Sequence, residues 1–158
     1  MTSRSAVRTE PTAIGDVVDE VAFTVESGKI REFALATHTD DPVHTDSRCA
    51  LAAGFGGVPA TATHVVVSGH YRSQSAMVER LGLDLKRVVV GGVRWRYHRP
   101  LTAGDVLTGT RRLTSDEQLH SGTPRTNRRL VLTTVFVDRA GRPAVEWHET
   151  IIERGTGR

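Results

Sequence analysis

One cysteine, few aromatic residues and no long apolar run are what this chain offers, and each scarcity removes a class of answers. Cys49 stands alone, so no internal disulfide can form, and a reducing cytoplasm is the expected compartment. Aromatic residues make up 5% of the chain, and no stacking platform or recognition motif accompanies the arginines, so nucleic acid is not an expected partner. No apolar run is long enough to cross a bilayer, so no membrane association is expected. Residues 1–12 lack the apolar centre of a signal peptide and read as a disordered lead. Neither a Gly-x-Ser-x-Gly elbow nor a Walker-type phosphate loop occurs, and no cofactor is expected.

What is present suits one domain. A length of 158 residues can bury a real core, and 38% hydrophobic with 25% charged residues is an ordinary globular balance. The net charge of +3 is mild, and arginine supplies most of the positive side. Arginines cluster at Arg94/Arg96/Arg99, Arg111/Arg112 and Arg125/Arg128/Arg129. They read either as solvated strand faces or as a docking surface for an anionic partner such as a nucleotide phosphate or an acidic carrier protein.

Residues 21–25 alternate as a short strand, and Ser27 can cap a helix over residues 29–37. Pro42 halts helix at the next loop. Asp46 or Ser47 can cap a short helix over residues 48–53 that Gly54 ends. Residues 61–81 contain no proline and carry apolar spacing at Val65, Val66, Gly69, Ala76, Met77 and Leu81, which predicts one long buried helix. Strands follow over residues 87–97, 106–119, 129–138 and 143–153, with a polar loop at 121–126 and a hairpin turn at 139–142. Connections this short predict an antiparallel meander. The fold class is α+β: one antiparallel sheet wrapped around one long central helix, spanning residues 13–154, with a frayed tail at 155–158.

Chemistry concentrates on Thr39-Asp40-Asp41-Pro42-Val43-His44-Thr45-Asp46, followed by Gly54-Phe55-Gly56-Gly57. A histidine and several carboxylates on one tight loop can form a proton-transfer pair. Asp-Asp-Pro before a helix can also be no more than a turn and cap. His64 and His70 on the long helix read as packing or tunnel-lining residues. The spacing of Asp40, Asp41, His44 and Asp46 matches no specific metal site, so no metal is expected.

These motifs resemble the MaoC-like, R-specific enoyl-thioester hydratase family. Ile30-Arg31-Glu32-Phe33-Ala34, the loop above, Gly54-Phe55-Gly56-Gly57-Val58 and the later Tyr97-His98-Arg99-Pro100-Leu101-Thr102-Ala103-Gly104-Asp105-Val106-Leu107 occur in the family's order. The pattern is most similar to the subgroup of hydroxyacyl-carrier-protein dehydratase subunits. The resemblance implies a hot-dog domain, an acyl-coenzyme A or acyl-carrier-protein thioester as substrate, and a homodimer or a heterodimer with another hot-dog chain. The family signature is Gly-Asp-x-Asn-Pro-x-His. His44 matches its histidine and Pro42 its proline. Asp41 replaces the asparagine, His38 the glycine, and Thr39 the catalytic aspartate. The resemblance thus implies His44, with Asp40 or Asp41 standing in for the aspartate and Thr39 in its place, as the catalytic set. Gly57, Thr61 and Ala62 would bind substrate, a backbone N–H near Thr61 or Ala62 facing the oxyanion.

The leading expectation is a hydratase or dehydratase of enoyl/3-hydroxyacyl thioesters. The alternatives are a non-catalytic acyl-binding subunit of a heteromeric dehydratase, favoured by the missing aspartate, and a hot-dog thioesterase.

Overall fold

A computed structural model describes residues 11–120 and 126–156. The expected lead at 1–12 and the loop at 121–126 fall almost wholly outside the described residues, as do the last two residues of the tail.

Five strands form one antiparallel sheet: β1 (Val17–Thr24), β2 (Val88–Tyr97), β3 (Val106–His120), β4 (Thr126–Val137) and β5 (Pro143–Glu153). Their spatial order is β1-β3-β4-β5-β2. Every pairing carries a register shift, at Val17/Asp19, Val90/Gly92, Leu113/Ser115 and Phe136/Val137. Such bulges bend and twist a sheet, and here they curl it around the helical segment. This is the hot-dog arrangement.

The meander holds for β3, β4 and β5 but not for β2, which pairs with the far side of β5. The reason lies in residues 98–105. They leave the sheet and pair with the stretch before the central segment, through the bridge Pro59↔Thr102 and the bond from Ala103 N–H to Val58 O at 2.9 Å. Eight extended residues reach roughly 28 Å, whereas crossing three strand spacings needs about 14 Å, so β2 can lie at the opposite edge from β1. As an edge strand β2 is largely open: Val89, Val90 and Val93 are 37%, 67% and 44% exposed, and Val88, Trp95 and Tyr97 are half-buried.

The central helical segment is present but in two pieces. A 3₁₀ helix runs over His64–Tyr71, and α3 spans Gln74–Arg80. Three consecutive valines, Val65 to Val67, favour a helix poorly. Ser73 then restarts the helix, its hydroxyl accepting Ala76 N–H at 3.2 Å. As expected, the first half is buried, through His64, Val65, Val67 and Ser68.

Two apolar clusters flank the break. Val65 and Val67 pack with Val21, Phe23, Leu107, Phe136, Val145 and Trp147, while Met77 and Leu81 pack with Val18, Leu113, Leu130, Leu132 and Ile151. Between them the inner sheet face turns polar. Asp19 stands opposite Arg111, and Arg111 opposite Thr134. Arg72, at the break, reaches Asp19 at 2.5 Å, Arg111 binds the other oxygen of the same carboxylate, and Glu149 lies 3.5 Å from Arg111. The side chains of Arg72 and Arg111 are only 5% and 4% exposed. Arg111 is therefore a core residue rather than part of a solvated face. Burial pushes the Glu149 carboxyl up, and the two guanidiniums pull it back.

Candidate active site

The loop is launched by α1 (Ser27–Ala36). Glu26, not Ser27, is its N-cap residue, and no side-chain bond accompanies it. At the C-terminal end His38 adopts φ of 54°, the left-handed conformation that normally selects glycine. That explains why glycine is usual where His38 stands. The next residue is tied back by Thr39 N–H to Ala34 O at 2.8 Å, so position 39 is fixed by backbone. Thr39 is half-buried, and its hydroxyl lies 3.1 Å from that of Thr37.

A 3₁₀ turn, Pro42–His44, follows, and α2 (Ser47–Ala52) comes next. Both are capped by loop carboxylates. Asp41 accepts Val43 N–H at 3.0 Å, and Asp46 accepts the N–H groups of Arg48 and Cys49 at 2.7 and 3.2 Å. Those backbone bonds hold the Asp46 carboxyl below its ordinary value. Asp40 is exposed, and its carboxylate has no hydrogen bond among the described residues. The loop thus spends Asp41 and Asp46 on structure and places no carboxylate in hydrogen-bond contact with His44.

His44 is half-buried, with Nδ1 2.8 Å from the carbonyl oxygen of Pro59. A carbonyl can only accept, so Nδ1 carries the proton, and in the neutral ring Nε2 keeps its lone pair as a base. The same peptide is held from its other side, because Ala60 N–H donates to Leu101 O at 2.7 Å. His44 is thereby oriented by a peptide that the second motif fixes. Further along, Arg99 grips Asp105 with two bonds of 2.7 and 2.9 Å, and Asp105 also accepts Thr102 N–H at 2.9 Å. This double clamp sets the path of residues 99–105.

Two residues beyond Pro59 the chain turns into the central segment. The N–H groups of Thr61, Ala62 and Thr63 have no partner among the described residues, whereas His64 N–H is already closed on Thr61 O. Thr61 and Ala62 line a cavity of about 400 Å³ with Ala60, Tyr97, His98 and Leu101. Tyr97 donates its hydroxyl to Ala62 O. Gly57 sits nearby with Thr102 as its neighbour. A larger cavity of about 730 Å³, between α3 and the sheet, is lined by none of the loop residues. Among the described residues no group of three or more His, Cys, Asp or Glu is placed to hold a metal ion.

The structure therefore ties His44 to Pro59 O, two residues before Thr61, and shows no hydrogen bond from Thr39, Asp40 or Asp41 to the His44 ring among the described residues. Sequence reasoning missed Leu101 and Tyr97 as supports of this corner. Their place inside the second motif was the available signal.

His64 begins the 3₁₀ helix fully buried between the rings of Phe33 and Phe23, at centroid distances of 5.4 and 6.1 Å, with neither ring nitrogen bonded. Burial, with the Lys29 charge adding to it, pulls its pKa from 6.5 to about 4. The folded protein thus resists a proton that the unfolded chain accepts. Stability is full above pH 6.5 and falls as pH drops towards 4, by about 3 kcal/mol at the limit. His64→Leu should remove this part of the slope, read as the difference between wild-type and variant urea midpoints across that pH range.

A curled antiparallel sheet around a central helical segment defines a hot-dog protein, and the family it falls in is one of dehydratases. Residues 12–147 match the family described as the FAS1-like, dehydratase domain region, and the chain belongs to that family. It is 36% identical over 137 residues to a UPF0336 protein of Saccharopolyspora erythraea, covering 85% of this chain and 84% of that one. Among solved structures it resembles a MaoC-like dehydratase, with a TM-score of 0.76 and 25% identity over 89% of this chain and 42% of that one. It also resembles a chain of the HadBC (3R-hydroxyacyl-ACP dehydratase) complex of Mycobacterium tuberculosis, with a TM-score of 0.70 and 22% identity, covering 85% of this chain and 94% of that one.

Proposed function

We propose that this chain is a subunit of an enoyl/3-hydroxyacyl-thioester hydratase or dehydratase, in which His44 transfers the proton and a second hot-dog chain completes the acid–base pair. The observation that carries this reading is His44, held on Pro59 O with Nε2 left as a base and no carboxylate bonded to it.

Hydration of a 2-enoyl thioester adds hydroxide from water to the β-carbon and a proton to the α-carbon, through an enolate. It requires a base for the water, an acid for the α-carbon and donors for the enolate oxygen. His44 supplies the first of these, and the turn at 61–63 offers the donors. A second proton-transfer group bonded to His44 is what the loop lacks, since Asp41 is engaged in capping and Asp40 is exposed. The substrate carrier is coenzyme A or an acyl-carrier protein.

Support for a second chain comes from the valine-rich exposed edge at β2, which leaves a strand edge open to pairing. The M. tuberculosis neighbour is itself a complex, HadBC. A stand-alone hydratase is the second reading. It is favoured by Asp40, whose carboxylate is free to serve.

The test is crotonyl-coenzyme A hydration by the purified chain, with His44→Ala beside it. Slow loss of the enoyl absorbance that disappears in the variant is the expected result. Release of free thiol with the enoyl absorbance unchanged would contradict the reading and mark a thioesterase.

A further inference from the structure

Two cavities meet at one arginine. Arg99 lines the cavity of about 400 Å³ that includes Thr61, Ala62 and Tyr97, and it also lines a second cavity, of about 410 Å³, with Asp105, Asp138, Arg139 and Arg142. The turn between β4 and β5 brings Asp138, Arg139 and Arg142 there. Register sets the span between the two cavities, because Tyr97 stands opposite Val145 and β5 begins at Pro143. One strand spacing across and two residues along put the end of that turn roughly 8 Å from the Tyr97 backbone.

Three guanidiniums and two carboxylates line the second cavity, and they are not presented equally. Asp105 is spent on two Arg99 nitrogens and on Thr102 N–H, and its side chain is 17% exposed. Asp138 accepts the N–H groups of Ala140 and Arg142 and the Arg142 guanidinium, and its side chain is 13% exposed. The Arg142 side chain, by contrast, is 78% exposed. Arg139 is exposed and has no ion pair among the described residues. The carboxylates are thus turned inward and neutralised, and one unpaired cation is left facing solvent. Arg99 Nε and Arg142 Nη1 carry no bond among the described residues, so both can donate alongside it.

We infer that the second cavity is a phosphate site, in which Arg139, with Arg99 and Arg142 beside it, takes the anionic end of a pantetheine arm whose thioester lies in the first cavity, an inference that rests on the thioester reading above. Guanidiniums match phosphate oxygens in geometry and charge. The order of the two cavities matches the order of the arm, uncharged along its length and anionic at its end. The same phosphate is carried by coenzyme A, with a nucleotide beyond it, or by a carrier protein.

The test is calorimetric binding of butyryl-pantetheine, butyryl-4′-phosphopantetheine and butyryl-coenzyme A to the full chain, saturated thioesters that undergo no hydration. Wild type should bind the phosphorylated arm about tenfold more tightly than the bare one, and high salt should shrink that advantage. Arg139→Glu should abolish it while leaving butyryl-pantetheine binding unchanged, since Arg139 holds nothing else in the fold. A further gain for butyryl-coenzyme A, also lost in Arg139→Glu, would assign the site to the nucleotide carrier. Equal binding of the two phosphorylated ligands would assign it to the phosphate that a carrier protein shares. An advantage that survives Arg139→Glu, or bare and phosphorylated arms binding wild type alike, would overturn the site and leave the thioester reading standing. No binding of any of the three by wild type would overturn both.

Discussion

Asp19→Asn should destabilise the fold by about 3–5 kcal/mol and lower Tm by about 10 °C. Asp19 is the carboxylate shared by Arg72 and Arg111, two guanidiniums whose side chains are 5% and 4% exposed. Removing its charge leaves two buried cations with, among the described residues, Glu149 alone to offset them, at 3.5 Å from Arg111. Arg72 already has Nε and Nη2 without partners, so it cannot rearrange into spare bonds nearby. The asparagine keeps the volume, so the effect reports charge rather than packing. Glu20→Gln, one residue on, is the control. Its exposed carboxylate accepts only Thr110 Oγ1 at 3.1 Å, and the change should stay within about 0.5 kcal/mol. Thermal or urea unfolding of the two variants measures the contrast. An Asp19→Asn variant as stable as Glu20→Gln would show that the charged layer does not join the central segment to the sheet.

That layer marks a limit of sequence reading. Strand alternation made the sheet legible: Leu107, Leu113, Leu130, Leu132 and Phe136 all face inward, as their period of two requires. The same alternation places Arg111 inward, between Leu107 and Leu113. A rule that assigns arginine to the surface hides this, because the compensating Asp19 is distant in sequence. The break in the central segment was equally hidden. Its apolar spacing suits either helix type, and only the pull of Arg72 towards Asp19 and the Ser73 cap place the division. The position of β2 depended on a pairing between residues 58–60 and 101–103, which no local pattern announces.

The site was legible by motif and incomplete by geometry. His44 and the turn at Thr61 and Ala62 were expected from the family resemblance, and the fold ties His44 to Pro59 O, two residues before that turn. The roles of Asp40 and Asp41 could not be read from type alone, since an aspartate before proline serves equally as base or cap. The Val43 N–H bond shows that Asp41 caps. Leu101 and Tyr97 act through a carbonyl and a phenol aimed at backbone, contacts that residue identity does not encode.

Thr39→Asp is the second change with a large expected effect, and it tests the central claim. Position 39 is fixed by its N–H on Ala34 O at 2.8 Å, so an aspartate there inherits a set backbone direction on the His44 loop. Thr39 donates to the Thr37 hydroxyl at 3.1 Å, because the Thr37 proton goes to Phe33 O at 2.8 Å, so an aspartate accepts there once the Thr37 hydroxyl turns away from Phe33 O. A positioned second acid–base group contributes about 10²–10⁴ in rate. Crotonyl-coenzyme A hydration by the isolated chain, measured for wild type, Thr39→Asp and Thr39→Asp/His44→Ala, reads that contribution directly. The account predicts a slow wild type, a gain of about a hundredfold or more in Thr39→Asp, and a return to the buffer rate in the double variant. A wild type already as fast as Thr39→Asp would contradict it, because the chain would then hold a complete acid–base pair of its own.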